Sequence, residues 1–154
     1  MIELKTDIFH PTFISTMDAI CFTSNGVIKS NGDLVMGGGV AKTFAEKYPW
    51  LPVQMGRMVK LRGNVPCLML TNPTTLGTLK PAIISFPTKH HYKDPSDLDL
   101  IAQSAKKLVG ITNDRKFAHV AIPYPGIGLG GLDKKAVKEV ISPILDDRFY
   151  VLVK

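Results

Sequence analysis

The stretch from Asn31 to Pro49, NGDLVMGGGVAKTFAEKYP, decides how the rest of the chain is read. Gly37, Gly38 and Gly39 run directly into a segment where Val40, Ala41, Phe44, Ala45 and Tyr48 recur at helical spacing. Lys42, Thr43, Glu46 and Lys47 face outward, and Pro49 stops the helix. A helix starting at or just after the glycines presents N–H groups that have no intrahelical partner and carry the positive end of the dipole. Glycine lets a ligand approach that backbone unobstructed, and a phosphate is the simplest ligand to suit it.

On either side of this stretch, strands and helices alternate. Ile2 to Lys5 read as a strand followed by the turn-prone HPT, and the apolar run Asp18 to Ser24 ends at Asn25-Gly26. Beyond Pro49, Pro52 to Leu61 read as a short helix with Met55, Met58 and Val59 inward. PCLMLT (66–71) and PAIISFP (81–87) have the continuous apolar character of buried strands. Leu98, Ile101, Ala102, Ala105, Leu108 and Val109 mark the best-patterned helix, with caps at Asp94, Ser96 or Asp97 and an end at Gly110. Phe117 to Pro123 read as a strand, Asp133 to Leu145 as a helix interrupted at Pro143, and Phe149 to Val153 as a final strand. The pattern predicts an α/β fold, a mostly buried sheet covered on both faces.

Composition sets the bounds. A chain of 154 residues, 45% apolar and 21% charged, suits one domain with a proper core, spanning 1–154. No apolar run is long enough for a membrane span, and MIELKTDIF lacks the apolar core of a signal peptide, so a cytoplasmic protein is expected. Cys21 and Cys67 lie in apolar runs and read as buried small hydrophobes of a reducing compartment. Nineteen basic against thirteen acidic residues, a net +6, favour anionic ligands, nucleic acid among them, although no dense basic run exists.

A second glycine-rich segment, PYPGIGLGGLDKKAV, runs from Pro123 to Val137. Gly126, Gly128 and Gly131 satisfy the dinucleotide fingerprint in spacing, but only 23 residues follow Gly131, too few for the Rossmann unit that motif requires. GGGVAKT likewise falls short of a P-loop, because Ala41 stands where glycine must precede the lysine. Either loop alone is explained by tight turns. Two such loops, each between a strand and a helix of one small sheet, can flank a crevice and wrap a diphosphate with backbone N–H groups.

Taken in order, LKTDIF, FTSNG, NGDLVMGGGVAKTFAEKYP, SFPTKHH and PYPGIGLGGLD resemble a macrodomain, the ADP-ribose-binding module. The resemblance covers nearly the whole chain and implies a three-layer α/β/α fold with a central mixed sheet. It is greatest to the branch holding terminal ADP-ribose glycohydrolase and the antitoxin macrodomains that remove ADP-ribose from DNA. Matched by position, it implies that Asp7 reads the adenine amino group with the Ile8 backbone nearby, and that Asn25 and Asn31 line the distal ribose. Gly37, Gly38, Gly39, Val40 and Ala41 would line the distal ribose and diphosphate, and Gly126, Ile127, Gly128, Leu129 and Gly130 would close over the phosphates. Read without the resemblance, Asp7, Asn25 and Asn31 are turn residues.

Lys89, in SFPTKHH, matches the lysine that in the glycohydrolase branch attacks or stabilises the anomeric C1″. Gly130 departs from the protein-directed glycohydrolase, which has an aspartate there; Asp133 lies three residues on and reads as a helix cap. The DNA-directed branch, sharing the FPTK-x-H stretch, fits better, and His90, His91, Tyr92 and Lys93 are candidates to contact a phosphate backbone or stack a base. Neither adjacent histidines nor the two cysteines have metal-ligand spacing, so neither metal nor cofactor is expected. The expected activity is removal of ADP-ribose from DNA or protein by a monomer. An ADP-ribose 1″-phosphate phosphatase and a non-catalytic ADP-ribose reader are the alternatives.

Overall fold

The computed structural model describes residues 1–153; Lys154, the last residue of the expected domain, lies outside them. Its strands are β1 (Ile2–Lys5), β2 (Ala19–Ser24), β3 (Leu68–Thr71), β4 (Thr78–Pro87), β5 (Val120–Pro123) and β6 (Phe149–Val153). They form one sheet in the order β1-β6-β5-β2-β4-β3, with β3 antiparallel to β4 and the other neighbours parallel. The helices are α1 (Pro11–Ile14), α2 (Gly39–Lys47), α3 (Leu51–Arg62), α4 (Leu98–Arg115) and α5 (Lys134–Ile141).

The side-chain alternation of β2 shows how the layers form. Ala19 and Cys21 enter one core, with Ile101, Ala105 and Leu108 of α4 and Val137 and Ile141 of α5. Ile20 and Phe22 enter the other, with Phe44 of α2 and Leu51, Met55 and Val59 of α3. Both faces of the strand are buried, which is why β2 reads as a continuous apolar run. The expected mixed sheet with helices on both faces is the one observed.

Topology then gathers the chemistry. β1, β2, β4, β5 and β6 run parallel, so their carboxyl ends share one edge of the sheet. Asp7 follows β1 there, Asn25 follows β2, Lys89 follows β4 and the second glycine loop follows β5. Ligands of such sheets bind outside these strand ends.

Several boundaries differ from the sequence reading. Gly110 does not end α4, which continues to Arg115 and stops at Lys116 in the left-handed region (φ 56°, ψ 38°). A glycine costs a helix interior only about 1 kcal/mol against alanine. Thr112, fully buried and donating from Oγ1 to the Leu108 carbonyl at 2.8 Å, helps hold the helix beyond it. The strand expected from Phe117 begins at Val120, because the N–H groups of Ala118 and His119 are taken by the Asp18 carboxylate at 2.7 and 2.9 Å. HPT is the start of α1, with Pro11 in the first turn, where its missing N–H costs nothing. α5 ends at Ile141, ahead of Pro143 as expected.

Gly56 lies inside α3, where a Cβ would sit 1.9 Å from the Gly32 carbonyl oxygen. The helix therefore packs directly on the turn that leads into the first glycine loop, and the Leu34 N–H donates to the Pro52 carbonyl at 2.9 Å.

Candidate functional site

α2 begins at Gly39, with Gly38 as its N-cap in an extended conformation and no side chain capping its first amides. Gly37, Gly38 and Gly39 are all exposed, so those amides face the open crevice. The second loop folds tightly: Gly126, Gly128 and Gly131 take positive φ of 77°, 67° and 74°, and Gly128–Gly130 form a 3-10 turn. Only glycine adopts such a run of left-handed residues without strain.

The two loops meet. A Cβ built on Gly38 or Gly39 would lie 3.3 or 3.4 Å from Leu129 Cδ1, so the Leu129 side chain, 75% exposed, reaches across to the start of α2. At one end of this crevice lies a cavity of about 500 Å³ whose walls include Asp7, Ile8, Phe9, Val40, Thr43 and Leu152. That volume falls in the range of small-molecule sites. Asp7 Oδ1 accepts the Phe9 N–H at 3.0 Å, which fixes the carboxylate, while Oδ2 accepts no hydrogen bond among the described residues. A carboxylate oxygen so placed can take a hydrogen bond from an exocyclic amine. A wider concavity of about 670 Å³, walled by Met1, Leu145, Asp146, Asp147 and Arg148, lies at the opposite edge, beside the amino ends of β1 and β6.

Lys89 sits on the other wall. Its Nζ donates to the Leu129 carbonyl at 3.3 Å and to the Tyr92 carbonyl at 3.5 Å, which joins the loop after β4 to the second glycine loop. Its backbone is anchored three ways: the Thr88 and Lys89 N–H groups reach the Ser24 carbonyl at 2.9 and 3.3 Å, and Asn64 Nδ2 donates to the Lys89 carbonyl at 2.9 Å. Asn64 in turn packs on Gly26, whose Cβ would come 2.9 Å from Asn64 Cγ. Asp97 caps α4 through the Asp99 and Leu100 amides, and its other oxygen meets His90 Nε2 at 2.9 Å. The hydrogen bond from His90 is the largest of the contacts that hold the Asp97 carboxyl below its ordinary range.

Other expected residues are placed less directly. Asn25 is buried, and its amide is engaged at both ends, donating to the Val35 carbonyl and accepting the Val27 N–H. Asn31 is exposed and closes a turn on Asp33 through that residue's N–H at 3.0 Å. Both hold the loop that leads to the glycines, and Asn25 does so at the sheet edge where the crevice opens. Ala41 is buried beneath the crevice in the α2 core, and Ile127 packs on the α4 side. Asp133 is the N-cap residue of α5 but its side chain makes no capping hydrogen bond, a departure from the expected role.

Gly130 is buried, and a Cβ there would fall 2.4 Å from Ser96 Oγ. The Ser96 N–H donates to the Gly130 carbonyl at 2.9 Å, so the contact is locked from both sides. Ser96 Oγ fills the space that any side chain at position 130 would need. The sequence offers Ser96 and Asp97 only as helix caps and His90 only as a nucleic-acid contact, and it gives no signal for Asn64 or for the His90–Asp97 pairing; nothing in GNVP or PSDL distinguishes these residues from ordinary turns and caps.

Cys21 and Cys67 are free, fully buried and on opposite faces of the sheet, and burial raises both thiol pKa values.

The Macro domain family model matches residues 27–141. The chain belongs to the macrodomain family. Over 107 residues, 68% of this macrodomain, it is 35% identical to the DNA ADP-ribosyl glycohydrolase of Mycobacterium tuberculosis. That match spans 30% of the relative's own length. The solved macrodomain of Mycobacterium tuberculosis DarG superposes with a TM-score of 0.78 at 25% identity, covering 99% of this chain and 97% of that one. Thermosipho africanus DarTG, solved in complex with ADP-ribose, shares the fold with a TM-score of 0.73 at 22% identity, over 91% of this macrodomain and 39% of its own chain.

Proposed function

We propose that this macrodomain binds ADP-ribose across the carboxyl edge of its sheet and hydrolyses the bond that joins it to DNA, with Lys89 as the catalytic residue. The observation that carries the reading is the position of Lys89 Nζ, 3.3 Å from the Leu129 carbonyl, on the wall of the crevice between the two glycine loops. The relatives named DNA ADP-ribosyl glycohydrolase support the linkage, and the ADP-ribose complex of a protein with the same fold supports the ligand.

In this reading adenine enters the 500 Å³ cavity and donates its amino hydrogen to Asp7 Oδ2, with the Ile8 backbone beside it. The diphosphate lies between the α2 amino terminus, at Gly37 to Ala41, and the turn at Gly126 to Gly130. The distal ribose then lies beside Asn25 and Asn31, with C1″ towards Lys89. Hydrolysis breaks the bond between C1″ and the nucleobase, adds the hydroxyl of water to C1″ and returns a proton to the base. A lysine at C1″ serves this step as a nucleophile or by stabilising the charge that develops there. The protein acts as a cytoplasmic monomer, and the two free, separated thiols support a reducing compartment.

Gly130 favours a second reading, in which a crevice without the loop aspartate binds ADP-ribose as a reader or releases phosphate from ADP-ribose 1″-phosphate. Incubating the protein with an ADP-ribosylated DNA strand, an ADP-ribosylated acidic peptide and ADP-ribose 1″-phosphate separates the three. Free ADP-ribose from the DNA strand is the expected product. Phosphate release alone, or binding with no turnover on any substrate, contradicts the proposal.

A further inference from the structure

Asn64 carries an unpaired polar atom inside the protein. Its Oδ1 is buried and accepts no hydrogen bond among the described residues. A buried amide oxygen left in this state costs free energy that an apolar side chain of similar shape would not. The amide cannot gain by turning over, because the Lys89 carbonyl 2.9 Å away admits only a donor and so fixes Nδ2 on that side. The loop that presents it is held at both ends: the Gly63 N–H donates to the Val59 carbonyl at 2.7 Å, and the Cys67 N–H to Ser85 Oγ on β4 at 2.9 Å. Room for the side chain comes from Gly26, where a Cβ would lie 2.9 Å from Asn64 Cγ. Gly26 does not take a positive φ, so space and not backbone conformation requires glycine there.

We infer that Asn64 is a positioning residue for Lys89, whose amide aims the lysine side chain into the crevice at some cost in stability. The inference rests on the proposed function and names a residue on which its chemical step depends. Lys89 lies beyond Pro87, the last residue of β4, where the strand ladder no longer fixes the backbone. Its own N–H makes a long bond of 3.3 Å to the Ser24 carbonyl, and its Nζ contacts are 3.3 and 3.5 Å. The 2.9 Å bond from Asn64 is the shortest of these, and Asn64 is the one donor to the Lys89 carbonyl among the described residues. The next carbonyl, of His90, accepts the Gly26 N–H at 3.2 Å. Both peptide units after Lys89 are therefore tied to Asn64 and to the glycine it packs on. Planar peptides held on both sides of a Cα fix the direction of its Cβ, and so where the lysine points. Asn64 does not line the 500 Å³ cavity, so its loss falls on the chemical step and not on ligand binding.

Two substitutions that remove the donor test this. Asn64→Leu keeps a branched side chain against Gly26 and discards the orphaned oxygen, whereas Asn64→Asp keeps the shape and puts an acceptor where the donor was. Each is expected to slow single-turnover release of ADP-ribose from an ADP-ribosylated oligonucleotide by about tenfold to a hundredfold, the scale of a misplaced reacting group. Calorimetric affinity for ADP-ribose stays within about threefold. The unfolding temperature of Asn64→Leu stays within a few degrees of the wild type, because removing the orphaned oxygen offsets the Lys89 carbonyl left unpaired. An unchanged rate overturns the inference, as does a rate loss matched by lost binding or lost thermal stability. A second readout needs no turnover: acetylation of the Lys89 amine by acetic anhydride, followed by mass spectrometry against the exposed Lys106. Labelling of Lys89 is slow in the wild type, where two carbonyls hold Nζ, and rises at least about threefold in both variants as that hold is released. Labelling of Lys89 that does not respond to Asn64 overturns the inference. Failure of the function itself is read separately, as no turnover by the wild type on any substrate while the labelling still depends on Asn64.

Discussion

Lys89 Nζ and the carbonyl oxygen of Leu129 lie 3.3 Å apart, although forty positions separate them in the chain. The same Leu129 reaches with its side chain to Gly38 and Gly39, so one residue of the second loop touches both the candidate catalyst and the start of α2. The neighbouring Gly130 is fixed by Ser96, and that contact bears on the missing aspartate. Gly130→Asp is expected to destabilise the protein by about 1–3 kcal/mol, the usual cost of overpacking, without raising activity. Thermal unfolding checks this, and the double variant with Ser96→Gly should recover most of the loss. Unaltered stability in the single variant would show that the loop yields easily.

Asp7 offers a second handle. If its free carboxylate oxygen reads the adenine amino group, Asp7→Ala should weaken ADP-ribose binding about tenfold, the scale of a hydrogen bond to a charged group. Calorimetric titration with ADP-ribose and with ribose 5-phosphate shows whether the loss belongs to the base, since only the adenine-bearing ligand should respond. Equal losses for both would remove Asp7 from base recognition.

Much of the fold was legible because its signals are local. The burial of β2 on both faces is written in AICFTS, and the helical spacing of Leu98 to Val109 needs no tertiary information. Gly110 was misread as an end because a glycine's cost can be met by packing that only the folded molecule reveals. In the crevice, the residues after β1, β2, β4 and β5 were found through motif order. The anchors that hold them were not, since Asn64 and Ser96 act through partners 25 and 34 residues away, Lys89 and Gly130. Asn25 and Asn31 show the converse, where a resemblance implies a ligand contact and the structure also gives each a turn to hold.

Asp97 makes the site loop sensitive to acid. Its carboxyl is held below the ordinary 3.8 by the His90 hydrogen bond first, then by the amides of Asp99 and Leu100. A lowered folded-state value means that the stabilisation is complete above the ordinary one and is lost as pH falls through the lowered one. Asp97→Ala should therefore cost about 1 kcal/mol at neutral pH, the usual worth of a helix cap, with the difference shrinking below about pH 4. Urea unfolding of both proteins at pH 7 and pH 3 measures it. An undiminished difference in acid would assign the effect to packing.

The measurement that bears most directly on the central claim is single-turnover release of ADP-ribose from a modified single-stranded oligonucleotide by the wild type and by Lys89→Ala, beside calorimetric binding of ADP-ribose to both. The account predicts that the variant loses at least about a hundredfold in rate, roughly 2.7 kcal/mol of transition-state stabilisation, while its ADP-ribose affinity stays within a few-fold. Release at the wild-type rate without the Lys89 amine would contradict it.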